Sequence, residues 1–158
     1  MRLNTTTCHA MRITLYLVRN RRVVSSSELA ETLKISLRYI FQITSKLRDG
    51  GFISTITGTS GGFVMSREAS SISVFDVIEL VEGEMTIPEC LTGLPDCGEP
   101  CRNQNLLSSL GAMRDDLETY LKSIKFDALS DLDINGPLAE IVGMVGTHIG
   151  DMKQRGLV

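Results

Sequence analysis

Residues 25–67, SSSELAETLKISLRYIFQITSKLRDGGFISTITGTSGGFVMSR, decide the fold. Ser25 followed by Glu28 has the spacing of a capping box, in which the serine side chain and the carboxylate each reach back to a free backbone N–H. That predicts a short helix over about residues 26–33. Lys34 and Ile35 leave room only for a tight link. Ser36 can then cap a longer helix with the expected apolar stripe Leu37, Ile40, Phe41 and Leu47, stopped by Gly50 and Gly51. Two short helices joined by so brief a turn make a helix-turn-helix. Beyond the glycines, residues 52–57 are rich in Ile and Thr, and residues 63–65 are short and apolar. Between them Gly58, Thr59, Ser60, Gly61 and Gly62 have the composition of a hairpin loop, the glycines being expected to supply its positive φ angles. A hairpin directly after a helix-turn-helix is a wing.

Upstream, Ala10, Ile13, Leu17 and Val18 recur at helical spacing, so residues 5–19 read as a first helix ended by the basic run at 19–22. Downstream, Ser73 precedes Val74, Val77, Ile78 and Val81, a fourth helix that stops at Gly83. Residues 84–101 contain Pro88, Gly93, Pro95, Gly98, Pro100 and three cysteines, which is loop chemistry. From about residue 103 to 124, Leu106, Leu110, Met113, Leu117, Tyr120 and Ile124 step by three and four in one narrow stripe. A lone helix cannot bury such a seam on itself, so it reads as a dimerisation helix packing on its copy. The expected fold is mainly α with a small β-wing. A winged helix-turn-helix domain at 1–83 is followed by a cysteine-bearing loop at 84–101, a long dimerisation helix at 102–125 and a tail at 126–158 in which no chemistry is visible.

The formal charge of −3 conceals an asymmetry. Residues 1–67 hold 10 Lys/Arg against 3 acidic residues, and residues 68–158 hold 6 against 16, so the halves carry +7 and −10. Only the first half suits a polyanion. The expected third helix carries Arg38, Tyr39, Gln42, Ser45 and Lys46 opposite its apolar stripe. Arginine can pair bidentately with guanine and glutamine with adenine, whereas Tyr, Ser and Lys can anchor phosphates. Arg48 before the wing, Ser60 and Gly61 at its turn and Arg67 beyond it would lie along the adjacent backbone. The partner these residues suit is double-stranded DNA. An enzyme is disfavoured, since there is no CxxC, no phosphate-binding glycine motif and no plausible nucleophile–base pair. No apolar run approaches the roughly 20 residues that span a bilayer, and the expected location is cytoplasmic.

Four cysteines in such a chain are not expected to form structural disulfides, because the cytosol keeps thiols reduced. Cys90, Cys97 and Cys101 are spaced C-x6-C-x3-C in one loop. Thiolates suit iron–sulfur clusters and zinc alike. Spacing alone leaves four readings open: a cluster, a structural zinc site, a metal-free thiol switch, or three unrelated cysteines.

The run SSSELAETLKISLRYIFQITSKLRDGGFISTITGTSGGFVMSREASSISVFDVIELVEG, with the start MRLNTTTCHAMR, resembles the DNA-binding core of the IscR/NsrR-type regulators, a group that also includes CymR-like and RirA-like proteins. The resemblance covers about residues 1–125. Its most specific pieces are Ile35-Ser36-Leu37, the Gly61-Gly62 wing turn and Ala69-Ser70-Ser71-Ile72. It implies a homodimer on a pseudo-palindromic operator, with one recognition helix per half-site. One departure bears on specificity, because an acidic residue that some members carry beside the reading glutamine is Phe41 here.

The resemblance also favours an iron–sulfur cluster, [4Fe–4S] ahead of [2Fe–2S], since cluster-bearing members place three cysteines in this loop. A cubane needs a fourth ligand. Where one sub-family offers a histidine after the third cysteine, this chain has Gln104. Where nitric-oxide-sensing members offer an acidic residue near the start of helix 1, contributed by the other subunit, it has Cys8. The expected metal ligands are therefore Cys8 of one subunit with Cys90, Cys97 and Cys101 of the other. A core cysteine in helix 1 is the plain alternative, and His9 a weaker substitute. Two functions are then in view: a repressor whose cluster senses nitric oxide, redox state or iron, or a cluster-free regulator acting through thiol redox or by docking on a metabolic enzyme.

Overall fold

The computed structural model describes residues 4–84 and 104–130, with the backbone alone for 104–107. The chain runs α1 (Thr5–Asn20), α2 (Ser26–Leu33), α3 (Leu37–Asp49), β1 (Ile53–Ile56), β2 (Gly62–Met65), a single 3₁₀ turn (Ala69–Ser71), α4 (Val74–Glu82) and α5 (Gln104–Ser123). This is the expected helical domain with a two-stranded wing. The wing is antiparallel, Ile53 opposite Met65 and Ile56 opposite Gly62.

The starts of α1, α2, α3 and α4 are each set by a short polar side chain that takes up an orphan backbone N–H. The Asn4 side chain accepts from Thr7 N, that of Ser25 from Glu28 N and that of Ser36 from Tyr39 N. Ser25 and Glu28 nevertheless do not form the reciprocal box. The Glu28 carboxylate turns outward, accepting both guanidinium N–H groups of Arg22, one at 3.0 Å, and the Tyr16 hydroxyl at 2.8 Å. The Arg22 hydrogen bond, with help from Tyr16, holds the Glu28 carboxyl below its usual range. A charged fork outcompetes a backbone amide for the same oxygens. The complete box stands instead at α4, between Ser73 and Asp76.

Lys34 closes α2 in the left-handed region at φ +54°, which tightens the turn and lets Ile35 N donate to Ala30 O at 3.1 Å. The sharp turn buries Ile35 and sets α3 across α2 around Leu29, Leu33, Ile40 and Leu47. On α3 the buried stripe is Ile40, Ile43, Thr44 and Leu47. Leu37 and Phe41, expected in that stripe, lie outside it at 46% and 55% exposure. The stripe is centred on Ile43 and Thr44, and Thr44 returns its hydroxyl proton to Ile40 O at 2.8 Å, so a β-branched polar residue fills a core position at no hydrogen-bonding cost.

Val24 joins the wing as a third short edge, exchanging hydrogen bonds with Phe63 at 2.9 and 2.8 Å. In the wing loop only Gly58 has the positive φ expected of all three glycines, at +120°. Gly61 and Gly62 are needed for close approach. A Cβ on Gly62 would lie 2.2 Å from Val24 O, and one on Gly61 2.5 Å from Ile56 O.

The long helix and the turn after it depart from expectation. Leu121 is buried, and Leu117 and Ile124 pack against the same domain's core, whereas Met113 is 63% exposed. The expected seam therefore splits, its C-terminal half covering α4. Leu106 lies where side chains are not described. The chain then reverses: Val74 N donates to Ile124 O at 2.9 Å and Phe126 N to Ile72 O at 3.0 Å. Phe126 and Leu129, assigned to the tail, are buried in the domain core.

Candidate functional site

On α3 the face opposite Ile40, Ile43, Thr44 and Leu47 is formed by Arg38, Gln42 and Ser45, and Arg38 and Gln42 are exposed. Arg48, also exposed, donates to Ser45 Oγ at 3.0 Å and pairs with Asp49 at 3.3 Å. Pairs this open to solvent are weak and readily exchanged for a phosphate. Ser60 is exposed at the wing loop, where Gly61 N donates to Gly58 O at 3.0 Å. Arg67 leaves β2 with its guanidinium 5.3 Å from the centre of the Phe52 ring. An aromatic face holds such a cation without neutralising it. Arg38, Gln42, Arg48, Ser60 and Arg67 are thus all exposed.

Two residues of the expected reading face are placed elsewhere. The Tyr39 hydroxyl meets Thr6 Oγ1 of α1 at 2.6 Å, and its ring makes a T-shaped pair with His9, centroids 5.5 Å apart. Lys46 reaches the C-terminal end of α4, donating to Val81 O at 3.4 Å. Both lie on the flank of α3 that faces α1 and α4. Helical spacing sets their angle but not which neighbour stands there. Thr6 had no signal in the sequence beyond its place in a polar run.

Cys8 sits in the first turn of α1, half-buried, with its thiol in the free form. Burial, then the nearby Glu82 carboxylate, pushes the thiol above its usual range. Glu82 is held in place by α1 itself, accepting from Asn4 N at 3.1 Å and Thr7 Oγ1 at 2.7 Å. His9, next along, has its Nδ1 3.3 Å from an Arg12 guanidinium nitrogen. A guanidinium can only donate, so Nδ1 accepts and the ring proton belongs on Nε2. Burial, followed by Arg12, lowers the imidazole's affinity for a second proton. Cys90, Cys97 and Cys101 lie outside the described residues. Among the described residues no three His, Cys, Asp or Glu side chains cluster as a metal site would, and no helix is long and apolar enough to cross a membrane.

The chain resembles proteins whose role is known. It is 32% identical over 127 residues to the HTH-type transcriptional regulator IscR of Escherichia coli (strain K12 / DH10B), covering 79% of this chain and 74% of that one. Among solved structures it superposes on CymR (YrzC), the global cysteine regulator of B. subtilis, with a TM-score of 0.68 at 26% identity, over 84% of this chain and 99% of that one. T. potens IscR shares the fold, with a TM-score of 0.65 at 23% identity over 84% and 89% of the two chains. The family model Rrf2, described as an iron-dependent transcriptional regulator, matches residues 3–131. That span takes in the helix-turn-helix, the wing and the returning turn at Phe126, and the chain belongs to the Rrf2 family of winged-helix transcriptional regulators.

Proposed function

We propose that the chain is a homodimeric repressor whose operator affinity is set by an iron–sulfur cluster, [4Fe–4S] in preference to [2Fe–2S], held by Cys8 of one subunit and Cys90, Cys97 and Cys101 of the other. The observation that carries this is the position of Cys8, two residues from the Thr6 hydroxyl that meets Tyr39 on α3. A ligand there sits in the same helical turn as the contact between α1 and α3, the helix proposed to read DNA. The donor set fits: four soft thiols, of which the one described is half-buried and free. When bound, such a cluster supplies redox and nitric-oxide reactivity. The chain's own part is to anchor one ligand in α1, whose first turn is tied to α4 through Glu82 and to α3 through Tyr39. The likeness to IscR and the iron-dependent description of the family support the same reading. We assign the second subunit to the face of α5 that leaves Met113 exposed.

Changing each cysteine to alanine and measuring iron and sulfide per chain after anaerobic reconstitution tests the ligand set. Each variant is expected to lose the visible absorbance and most of its iron. A Cys8 variant with a full, equally stable cluster and an unaltered spectrum would assign the fourth ligand elsewhere. Zinc in protein made under anaerobic, iron-replete conditions would end the sensing reading. The likeness to CymR supports a second reading, a cluster-free regulator responding through thiol redox or by docking on a metabolic enzyme. It expects colourless protein.

For DNA, Arg38→Ala is expected to cost about 1–3 kcal/mol on the cognate site, the range for a bidentate base contact, and far less on random duplex. Arg67→Ala should weaken binding to every sequence and reduce the salt slope by about one phosphate contact. Equal losses on both duplexes for Arg38, read by fluorescence anisotropy across a salt series, would make it a backbone contact instead.

A further inference from the structure

Leu37 and Phe41 are large apolar side chains left 46% and 55% exposed on a surface otherwise polar and basic. Four residues apart, they form one stripe on α3 beside Arg38 and Gln42. Its Phe41 end faces the wing. The Phe41 ring stands edge-on to the buried Phe63 of β2, with centroids 6.5 Å apart and planes at 69°. Phe41 is thus oriented by the strand, with an open face toward whatever occupies the space in front of α3. Both residues lie in the N-terminal half of the helix, the part that reaches base edges in helix-turn-helix proteins.

We propose that Leu37 and Phe41 read the 5-methyl groups of thymines in the major groove, one step from the bases contacted by Arg38 and Gln42. The reading rests on α3 being the DNA-reading helix. In the major groove the thymine methyl is the one apolar feature that distinguishes a base pair, and apolar side chains are its natural partner. Charge selects the occupant. Arg38 and Arg48 stand exposed on the same helix as the patch, so a second copy of the chain laid on it would bring like charges together, whereas a duplex brings phosphates to both. The operator should therefore carry thymines in each half-site at the positions that Leu37 and Phe41 reach.

The test begins with selection of bound duplexes from a random library by the full-length chain, apo and anaerobically reconstituted. Each thymine of the selected half-site is then replaced by uracil, which removes only the methyl. Wild type is expected to lose about fourfold in affinity at one or two positions, the factor equivalent to about 0.8 kcal/mol for one buried methylene-sized group. Phe41→Ala should bind the thymine and uracil forms equally at one of those positions, and Leu37→Ala at its neighbour, both variants melting close to wild type because both side chains are exposed. Failure to enrich any sequence would remove α3 from base reading altogether. An enriched operator that tolerates uracil everywhere, or Phe41→Ala keeping the full uracil penalty, would overturn the methyl reading alone. A changed oligomeric mass in Phe41→Ala would reassign the patch to a protein interface and overturn it too.

Discussion

Phe126→Ala is expected to lower the stability of the domain by about 3–5 kcal/mol, the range for truncating a fully buried phenylalanine. The side chain is 1% exposed and is the bulkiest of the fully buried residues. Its backbone N–H is tied to Ile72 O at 3.0 Å, beside the bond from Val74 N to Ile124 O. The chain there is pinned on both sides of the capping box that starts α4, so it cannot collapse into the space the ring leaves. Equilibrium urea unfolding followed by far-UV circular dichroism gives the number. A loss below about 1 kcal/mol would mean that the turn after α5 is peripheral and that the domain is complete at α4.

Gly62→Ala is expected to cost about 3 kcal/mol, at the upper end for overpacking, because the methyl would meet backbone and not a side chain that can swing aside. The Cβ would lie 2.2 Å from Val24 O and 2.6 Å from Val24 C. Relief requires opening the paired hydrogen bonds between Val24 and Phe63, which releases β2 from the segment before α2. Operator affinity measured below the melting transition should fall as well, since Ser60 and the wing loop lose their fixed position. Gly111→Ala is the control, an α5 glycine whose Cβ meets nothing within 4 Å. There the change should be neutral or stabilising by up to about 1 kcal/mol, as for a glycine in a helix interior. A Gly62 variant as stable as that control would show that the Val24 edge is not part of the wing.

Much of this fold is legible in the sequence because its punctuation is local. Ser25, Ser36 and Ser73 each begin a helix, and Gly50, Gly51 and Gly58 mark where the chain turns. The bounds of α2 are set by its serine cap and its short link to α3. The features that escape depend on the neighbour. Glu28 has the right spacing for a box, but Arg22 and Tyr16 stand closer to its carboxylate than its own cap. Leu37 and Phe41 have core chemistry, and only the positions of Ile43 and Thr44 reveal that the stripe runs past them. The apolar repeat of α5 marks a helix, yet a repeat does not say which partner covers it, and Leu117 and Leu121 turn to their own domain. Phe126 stands alone in sequence, without periodicity to announce it. For the candidate site, residue types nominate Arg38, Gln42 and Cys8, whereas the contacts of Tyr39 and Lys46 follow from the packing of α1 and α4 against α3.

The link from Thr6 to Tyr39 joins two uncharged hydroxyls. Mobile ions screen interactions between charges and leave such a bond nearly untouched, while the phosphate contacts proposed for the arginines would weaken steeply as ions compete for the phosphates. Ionic strength in the cell can therefore tune how long the protein stays on DNA without altering how firmly α3 is held to α1. Grip and posture are adjusted by separate means.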